Sequence, residues 1–131
     1  MEDKRKLLLV DDEESITRTL KLFLDRRGGY DVRTENQGSN AVQAARDFRP
    51  ELIVLDIVMP DSDGGAIAQD LGEDPELKSI PIVFLSAIIK EDEMGGQGMT
   101  IGGSDHTYLA KPVEPDELIS HIQERLGVNA L

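Results

Sequence analysis

The sequence contains no cysteine and no tryptophan, and only 4% of its residues are aromatic. Without cysteine, the chain forms neither a disulfide nor a thiolate metal site. The two histidines, His106 and His121, do not have the spacing of a metal site either. The absence of cysteine agrees with a reducing compartment, and we expect a cytoplasmic location.

Long hydrophobic runs and clustered basic residues are also missing. No apolar run approaches the ~20 residues that span a membrane, and no signal-peptide pattern opens the chain. The chain has 14 Lys and Arg against 26 Asp and Glu, a formal net charge of −12. This balance argues against direct binding to nucleic acid, which needs basic side chains facing the phosphates. A G-x-G-x-x-G dinucleotide motif is absent after the first predicted strand.

One apolar stretch organises the sequence that is present. Residues 52–55 are apolar without interruption, and the run stops on the carboxylate of Asp56. A continuous run without alternation indicates a strand buried on both faces, as in a parallel sheet covered by helices. The following residues, 60–64, have strong turn chemistry. We therefore expect Asp56 at the carboxyl end of a central strand, where α/β sheets bind ligands.

Strand and helix patterns alternate five times along the chain. This alternation predicts a doubly wound parallel sheet with helices on both faces, in a single domain over residues 1–131 with a core of about 6–127. The pattern is weak in 88–104, where closely spaced glycines disfavour a continuous helix. We expect a short helix from about Glu91, then a mobile stretch and a rebuilt turn before Asp105. The predicted strands are 6–10, 30–35, 52–56, 80–85 and 106–110. Helical spacing begins at Ile16 and is expected to stop at Gly28 and Gly29; the other clear helices are expected to begin with a cap at Ser39 or Asn40, at Asp63 or Gly64, and at Glu114 and Pro115.

Polar side chains follow the predicted strands at one edge of the sheet. They are Asp11 and Asp12, Asp56, Ser86 and Lys111. Converging carboxylates repel one another unless a cation lies among them, and Mg²⁺ prefers such oxygen ligands. One carboxylate can also act as a nucleophile that forms an aspartyl-phosphate, with the lysine facing a phosphate oxygen. Taken alone, each residue has a plainer interpretation as a helix start, a turn or a strand end; their joint occurrence favours a site.

These motifs resemble the receiver domain of two-component response regulators over essentially the whole chain. The resemblance implies the flavodoxin-like strand order 2-1-3-4-5, for which a member of this family is a standard example. The matching residues are Val10, Asp11, Asp12 and Glu13; Asp56, Ile57, Val58, Met59, Pro60, Asp63 and Gly64; Ser86 and Ala87; and Tyr108, Leu109, Ala110, Lys111 and Pro112.

The resemblance also implies a role for each position. Asp56 is expected to accept a phosphoryl group from a histidine kinase or phosphotransfer protein. Asp12 is expected to bind Mg²⁺ or Mn²⁺ directly, Asp11 beside it partly through water, and Val58 through its backbone carbonyl. Lys111 is expected to pair with the phosphoryl oxygens. The domain would thus assist its own phosphorylation and dephosphorylation without being an enzyme with a separate substrate.

The expected output is a change of surface. By resemblance, Ser86 moves toward the phosphoryl group and the Tyr108 ring follows, which alters the face made by the fourth helix, fifth strand and fifth helix. That face would bind a downstream protein or an output domain absent from this sequence, or form a phosphorylation-dependent homodimer. Whether the chain is a stand-alone regulator or part of a longer one stays open.

Two alternatives share this fold. A pseudo-receiver would be a constitutive interaction module, but it has no need for Asp12, Asp56, Ser86 and Lys111 together. An enzyme that hydrolyses small phosphate esters through an aspartyl-phosphate would need an acid/base two residues after the nucleophile. That position is Val58, and the chain has no insertion large enough to form a substrate-enclosing cap.

Overall fold

The structure is a computed structural model that describes residues 4–59, 62–86, 99–101, 104–111 and 113–126. Its elements include five main strands and four helices, and a described helix follows each main strand except the fourth. The strands are β1 (Arg5–Val10), β2 (Tyr30–Glu35), β3 (Leu52–Asp56), β4 (Ile82–Ser86) and β5 (Ser104–Ala110). The helices are α1 (Glu14–Arg27), α2 (Ala41–Phe48), α3 (Gly64–Glu73) and α4 (Pro115–Leu126).

The five main strands are parallel and lie in the order β2-β1-β3-β4-β5. The predicted fold and the 2-1-3-4-5 order are confirmed. In this order β1 and β3 are central neighbours, with Val10 opposite Leu55. The residues that follow these two strands therefore emerge side by side at the carboxyl edge of the sheet.

One strand was not predicted. Met99–Ile101 pairs antiparallel with the beginning of β5 and extends the sheet at its outer edge. Residues 99–101 were expected to lie in a mobile stretch and are a strand instead, whose antiparallel pairing reverses the chain ahead of Asp105, where a turn was expected. Thr100 and Ile101 are β-branched and favour strands, and the sheet edge at β5 is open to pairing. The short helix expected from about Glu91 falls outside the described residues.

The core has two layers because both faces of the sheet are covered. Alternate strand residues point to opposite sides, so Leu7 and Leu9 pack with α1 and α4, whereas Leu8 and Val10 pack with α2 and α3. All residues of β3 are buried. This explains why the strands are continuously apolar instead of alternating with polar residues.

The helices end and begin where the sequence predicts at Gly28 and Asn40, but the predicted capping hydrogen bond of Asn40 is not formed. Gly28, which was expected to end α1, has a φ of +82° that suits glycine. Asn40 lies at the N-cap position of α2 as expected, yet its side chain makes no capping bond there and donates to Gln37 Oε1 at 3.1 Å. Asn40 follows a short 3₁₀ turn, Gly38–Asn40, and has a helical ψ, so it lacks the extended backbone of a capping residue.

A close approach between β3 and α3 shapes the loop after Asp56. The Gly64 N–H donates to the Ile57 carbonyl at 2.8 Å, and the Ile57 N–H donates to the Leu85 carbonyl at 2.9 Å. A Cβ atom on Gly64 would lie 2.5 Å from both the Asp56 carbonyl oxygen and the Ile57 Cα. Only glycine fits here, because the obstacles are backbone atoms that have no side-chain rotamer to change.

We predict that Gly64→Ala lowers the free energy of unfolding by about 3 kcal/mol, since overpacking against main chain forces the backbone apart. Gly29→Ala is the matched control. Gly29 has a φ of +91° but open space around its Cβ position, so only the backbone penalty of about 1–2 kcal/mol applies. Urea denaturation of both variants measures the difference, and equal losses would contradict the close approach.

Candidate functional site

Three carboxylates meet at the carboxyl edge of the sheet. Asp11 and Asp12 directly follow β1, and Asp56 is the last residue of β3. One carboxylate oxygen from each of the three lies within 4.8 Å of the others. Asp11 and Asp56 are each only 2% exposed, whereas Asp12 is partly exposed. The sequence prediction that these acids converge is confirmed.

Lys111 reaches the same cluster from the end of β5. Its Nζ lies 2.8 Å from Asp11 Oδ2 and 3.3 Å from Asp56 Oδ2, and its side chain is 11% exposed. The lysine thus bridges the two buried acids. Three carboxylates against one ammonium leave a formal charge of −2 in this small volume.

The acids change the protonation of the lysine. Desolvation by burial lowers the pKa of Lys111, but the hydrogen bond and charge of Asp11, together with those of Asp56, outweigh it and raise this pKa above its ordinary value of 10.5. Lys111 is therefore a permanent cation at neutral pH. A permanent positive charge suits recognition of anionic oxygens.

The buried acid Asp11 has one incompletely satisfied oxygen. Its Oδ1 accepts the Glu13 N–H at 2.9 Å. Its Oδ2 is buried and, among the described residues, lies against the Lys111 ammonium alone, at 2.8 Å. A carboxylate oxygen can accept more than one partner, so this oxygen can still bind a further ligand.

The donor set fits a hard divalent cation. Oxygens on opposite sides of one Mg²⁺ are roughly 4 Å apart, given metal–oxygen distances of about 2.1 Å. Three ligands of one cation include neighbouring pairs roughly 3 Å apart, so the oxygens of Asp11, Asp12 and Asp56, which lie within 4.8 Å of one another, have to move closer to share it. A charge of +2 would also balance the excess of −2 around Lys111.

The remaining predicted residues are placed by their backbone. Ser86 is the last residue of β4, and Tyr108 lies in β5 opposite Phe84. Val58 is in the short strand Val58–Met59, which pairs antiparallel with Ser62–Asp63 just after β3. The side chains of Ser86 and Tyr108 fall outside the described part of the structure, as does all of Pro112. The roles expected for these residues stay predictions.

Two residues near the site were given no role by sequence reasoning. Glu13 lies at the rim, with Oε1 3.5 Å from Lys111 Nζ. Asn36 follows β2 and donates to the Asp11 carbonyl at 2.8 Å. The acidic run 11–14 predicted negative charge near the site but did not predict that Glu13 contacts Lys111. Asn36 is 25 residues from Asp11, so only its place at the end of a neighbouring predicted strand pointed to it.

A mostly apolar cleft of about 270 Å³ opens beside the cluster. It lies between α1 and the segment that leads from β5 into α4. The cleft is lined by Ile16, Leu20, Leu85, Val113 and Pro115, together with Lys111. A protein surface docked here would therefore be in contact with the lysine of the site.

Comparison with known proteins decides the family. Residues 7–123 match the family model described as the response regulator receiver domain. The chain belongs to this family. It is 37% identical over 120 residues to the alkaline phosphatase synthesis transcriptional regulatory protein PhoP of Bacillus subtilis. That match covers 91% of this chain and 47% of PhoP.

Other receiver domains share both sequence and fold. The DNA-binding response regulator MtrA of Mycolicibacterium smegmatis is 34% identical, over 96% of this chain and 52% of MtrA. The chain thus spans about half the length of these two regulators. The receiver domain of Francisella response regulator 1452 is 28% identical with a TM-score of 0.78, covering 95% of this chain and 98% of that one. The chemotaxis response regulator CheY4 of Vibrio cholerae is 26% identical with a TM-score of 0.79, covering 93% and 98%.

The helices of this receiver domain were also tested for length and hydropathy. Among the described residues, no helix is long and apolar enough to cross a membrane.

We predict that Lys111→Met destabilises the metal-free protein by about 3 kcal/mol near neutral pH, because it leaves Asp11 and Asp56 buried without a counter-charge. The pKa of Lys111 is raised by folding, so its contribution is complete below pH 10.5 and is lost as the pH rises through the higher, folded-state value. The deficit of the variant should therefore shrink in strongly alkaline solution. Urea denaturation in EDTA at several pH values measures it.

Lys78→Met is the control, since Lys78 is an exposed lysine outside the site. Its effect should stay within about 0.5 kcal/mol at every pH. A Lys111→Met deficit that equals this control, or that grows in alkali, would contradict the paired-lysine description.

Proposed function

We propose that this chain is a single phosphoacceptor receiver domain in a two-component phosphorelay, and that Asp56 is the residue phosphorylated. The observation that carries the proposal is the placement of Asp56, Asp11, Asp12 and Lys111 around one point at the carboxyl edge of the sheet. Family membership supports the phosphorelay. The position of Asp56 at the end of the central strand β3 supports its choice as nucleophile.

In the proposed reaction, an Asp56 carboxylate oxygen attacks the phosphorus of a phosphohistidine. An O–P bond forms, the N–P bond breaks, and its electron pair returns to the imidazole nitrogen. Lys111 holds the phosphoryl oxygens by its ammonium, exchanging its present contact with Asp56 for contacts to the new group. The aspartyl-phosphate carries about −2 where the carboxylate carried −1, so this permanent cation is required more after transfer than before.

The expected cofactor is Mg²⁺ or Mn²⁺, held by the Asp12 and Asp56 carboxylates, by Asp11 partly through water, and by the Val58 carbonyl. Bound there, a divalent cation neutralises charge that develops on the phosphoryl oxygens. The incompletely satisfied Asp11 Oδ2 and the excess of −2 support this assignment. The cation and its waters would account for both observations.

The proposed donor is a protein, a histidine kinase or a phosphotransfer protein. The apolar cleft beside Lys111 supports this, because a surface docked there contacts Lys111, whose Nζ lies 3.3 Å from the reacting Asp56 carboxylate. The donor must also meet an acidic protein, which has a formal charge of −12. Apolar contact in the cleft would contribute to docking without depending on the charge of the donor.

The proposed output is a change in the face built by the expected fourth helix, β5 and the last helix, α4 in our numbering, driven by Ser86 and Tyr108. Such a switch is a local electrostatic event that biases a two-state surface. Its target is a downstream protein, an output domain or a second phosphorylated copy. The domain acts in the cytoplasm, as a signalling module and not as an enzyme with a separate substrate.

We predict that incubation with phosphoramidate or acetyl phosphate and MgCl₂ adds one phosphoryl group to the wild type, measured by intact mass. Asp56→Asn should gain none, because an amide is not a comparable nucleophile. Asp47→Asn is the control: Asp47 is exposed near the end of α2, where it accepts a hydrogen bond from Gln43 outside the carboxylate cluster, and its replacement should leave labelling unchanged. Equal labelling of wild type and Asp56→Asn would contradict the proposal.

We predict that MgCl₂ at about one hundred times its Kd stabilises the wild type by about 2.7 kcal/mol, since the cation binds the folded site alone. Asp12→Asn should abolish most of this gain. In EDTA the same variant should be slightly more stable than the wild type, because one carboxylate is removed from a crowded cluster. Thermal melts with and without the cation measure both effects.

Asp31→Asn is the matched control for overall charge. Asp31 is exposed on β2, the strand at the opposite edge of the sheet from β5, and it is not in the cluster. It should melt like the wild type in EDTA and keep the full gain with MgCl₂. A gain that persists in Asp12→Asn would locate the cation elsewhere.

A further inference from the structure

Asn36 joins three separate elements behind the carboxylate cluster. Its side-chain amide donates to the Asp11 carbonyl oxygen at 2.8 Å and to Thr17 Oγ1 at 2.9 Å. Thr17 is 2% exposed, and its hydroxyl donates to the Glu14 carbonyl at 3.1 Å. One partly buried amide therefore connects the end of β2, the loop after β1 and the first turn of α1.

The chemistry of these partners leaves the amide little freedom. The Asp11 carbonyl is an acceptor only, so the Asn36 NH₂ group must face it. The Thr17 hydroxyl gives its proton to Glu14 and accepts the second N–H of the same amide. Both donors of Asn36 are thus used, and rotating the amide by half a turn would put its own oxygen against the Asp11 carbonyl oxygen, two acceptors facing each other.

Asn36 also continues the sheet beyond the end of β2. The last β1–β2 backbone contact is the Asp11 N–H, which donates to the Glu35 carbonyl at 3.1 Å. The next group along the chain, the Asp11 carbonyl, is bound by the Asn36 side chain. The peptide groups on both sides of Asp11 are therefore tied to the same neighbouring segment, and the second of them leads directly into Asp12.

We propose that Asn36 is a positioning residue for the divalent cation, acting through the backbone of Asp11 and Asp12 without touching the cation. This inference rests on the proposed function. Asp12 is the most exposed of the three acids and, unlike Asp11 and Asp56, forms no ion pair among the described residues. Its carboxylate direction therefore depends on the backbone that precedes it, and that backbone is what Asn36 fixes.

The expected change in the Kd for Mg²⁺ follows from the known effect of replacing groups that orient metal ligands. Replacing the hydrogen-bond partners that orient metal ligands typically weakens metal binding 10–100-fold. Asn36 orients the backbone and not a ligand atom itself, so we expect the lower end of that range. We predict that Asn36→Ala raises the Kd for Mg²⁺ about tenfold, measured by calorimetric titration of the full chain with MgCl₂.

The affinity separates a positioning role from a purely structural one. A structural role would lower the melting temperature in EDTA and leave the Kd unchanged. A positioning role raises the Kd, and labelling from phosphoramidate then recovers when MgCl₂ is raised to saturation. Should Asn36→Ala fail to fold, Asn36→Ser is measured in the same way with the same expectation. Asn40→Ala is the control, since the one side-chain hydrogen bond of its amide within the described part of the chain is to the nearby Gln37.

Each outcome has a distinct meaning. A Kd that rises in Asn36→Ala and not in Asn40→Ala supports the inference. An equal Kd in Asn36→Ala and the wild type overturns it and leaves the proposed function standing, as does an equal rise in both asparagine variants. A wild type that binds no Mg²⁺ overturns the proposed cation site, and the inference with it.

Discussion

The structure depends on bringing like charges together and keeping them there. Asp11, Asp12 and Asp56 repel one another, and burial of two of them makes the repulsion stronger than it would be in water. Lys111 relieves only part of it, because its single ammonium pairs with Asp11 and Asp56 while Asp12 adds a third carboxylate to the cluster. Such a cluster is unfavourable for a purely structural purpose, and replacing it by apolar residues would be expected to stabilise the fold. Its presence is physically reasonable if a divalent cation completes the charge balance.

The rest of the fold supplies the stability that this arrangement needs. Both faces of the sheet are covered, so β1 and β3 are held by packing on two sides and their ends are fixed relative to each other. Backbone contacts then position the acids. The Glu13 N–H orients Asp11, and the approach of Gly64 to the Asp56 carbonyl closes the loop on the other side. The site is thus built at strand ends and helix starts, which are rigid, and not on a long loop.

Much of this could be predicted from the sequence, for an identifiable reason. A buried parallel strand is continuously apolar, so the residue that ends the run is conspicuous. Asp56 and the Asp11–Asp12 pair were found in this way, and the order of the strands then required them to meet. Lys111 was found by the same signal at the end of β5. The charge excess follows from these four residues and was visible before the structure.

What could not be predicted depends on contacts between distant residues. Asn36 reaches Asp11 through a geometry that no local pattern encodes, and the capping expectation for Asn40 was wrong because a 3₁₀ turn changes its backbone. The pairing of Met99–Ile101 with β5 depends on an open sheet edge, which is a property of the assembled sheet. A crystal of the protein soaked in MnCl₂ and measured at the manganese absorption edge tests the central claim most directly. The account predicts one anomalous peak within bonding distance of the Asp12 and Asp56 carboxylates; a peak elsewhere, or none, would contradict it.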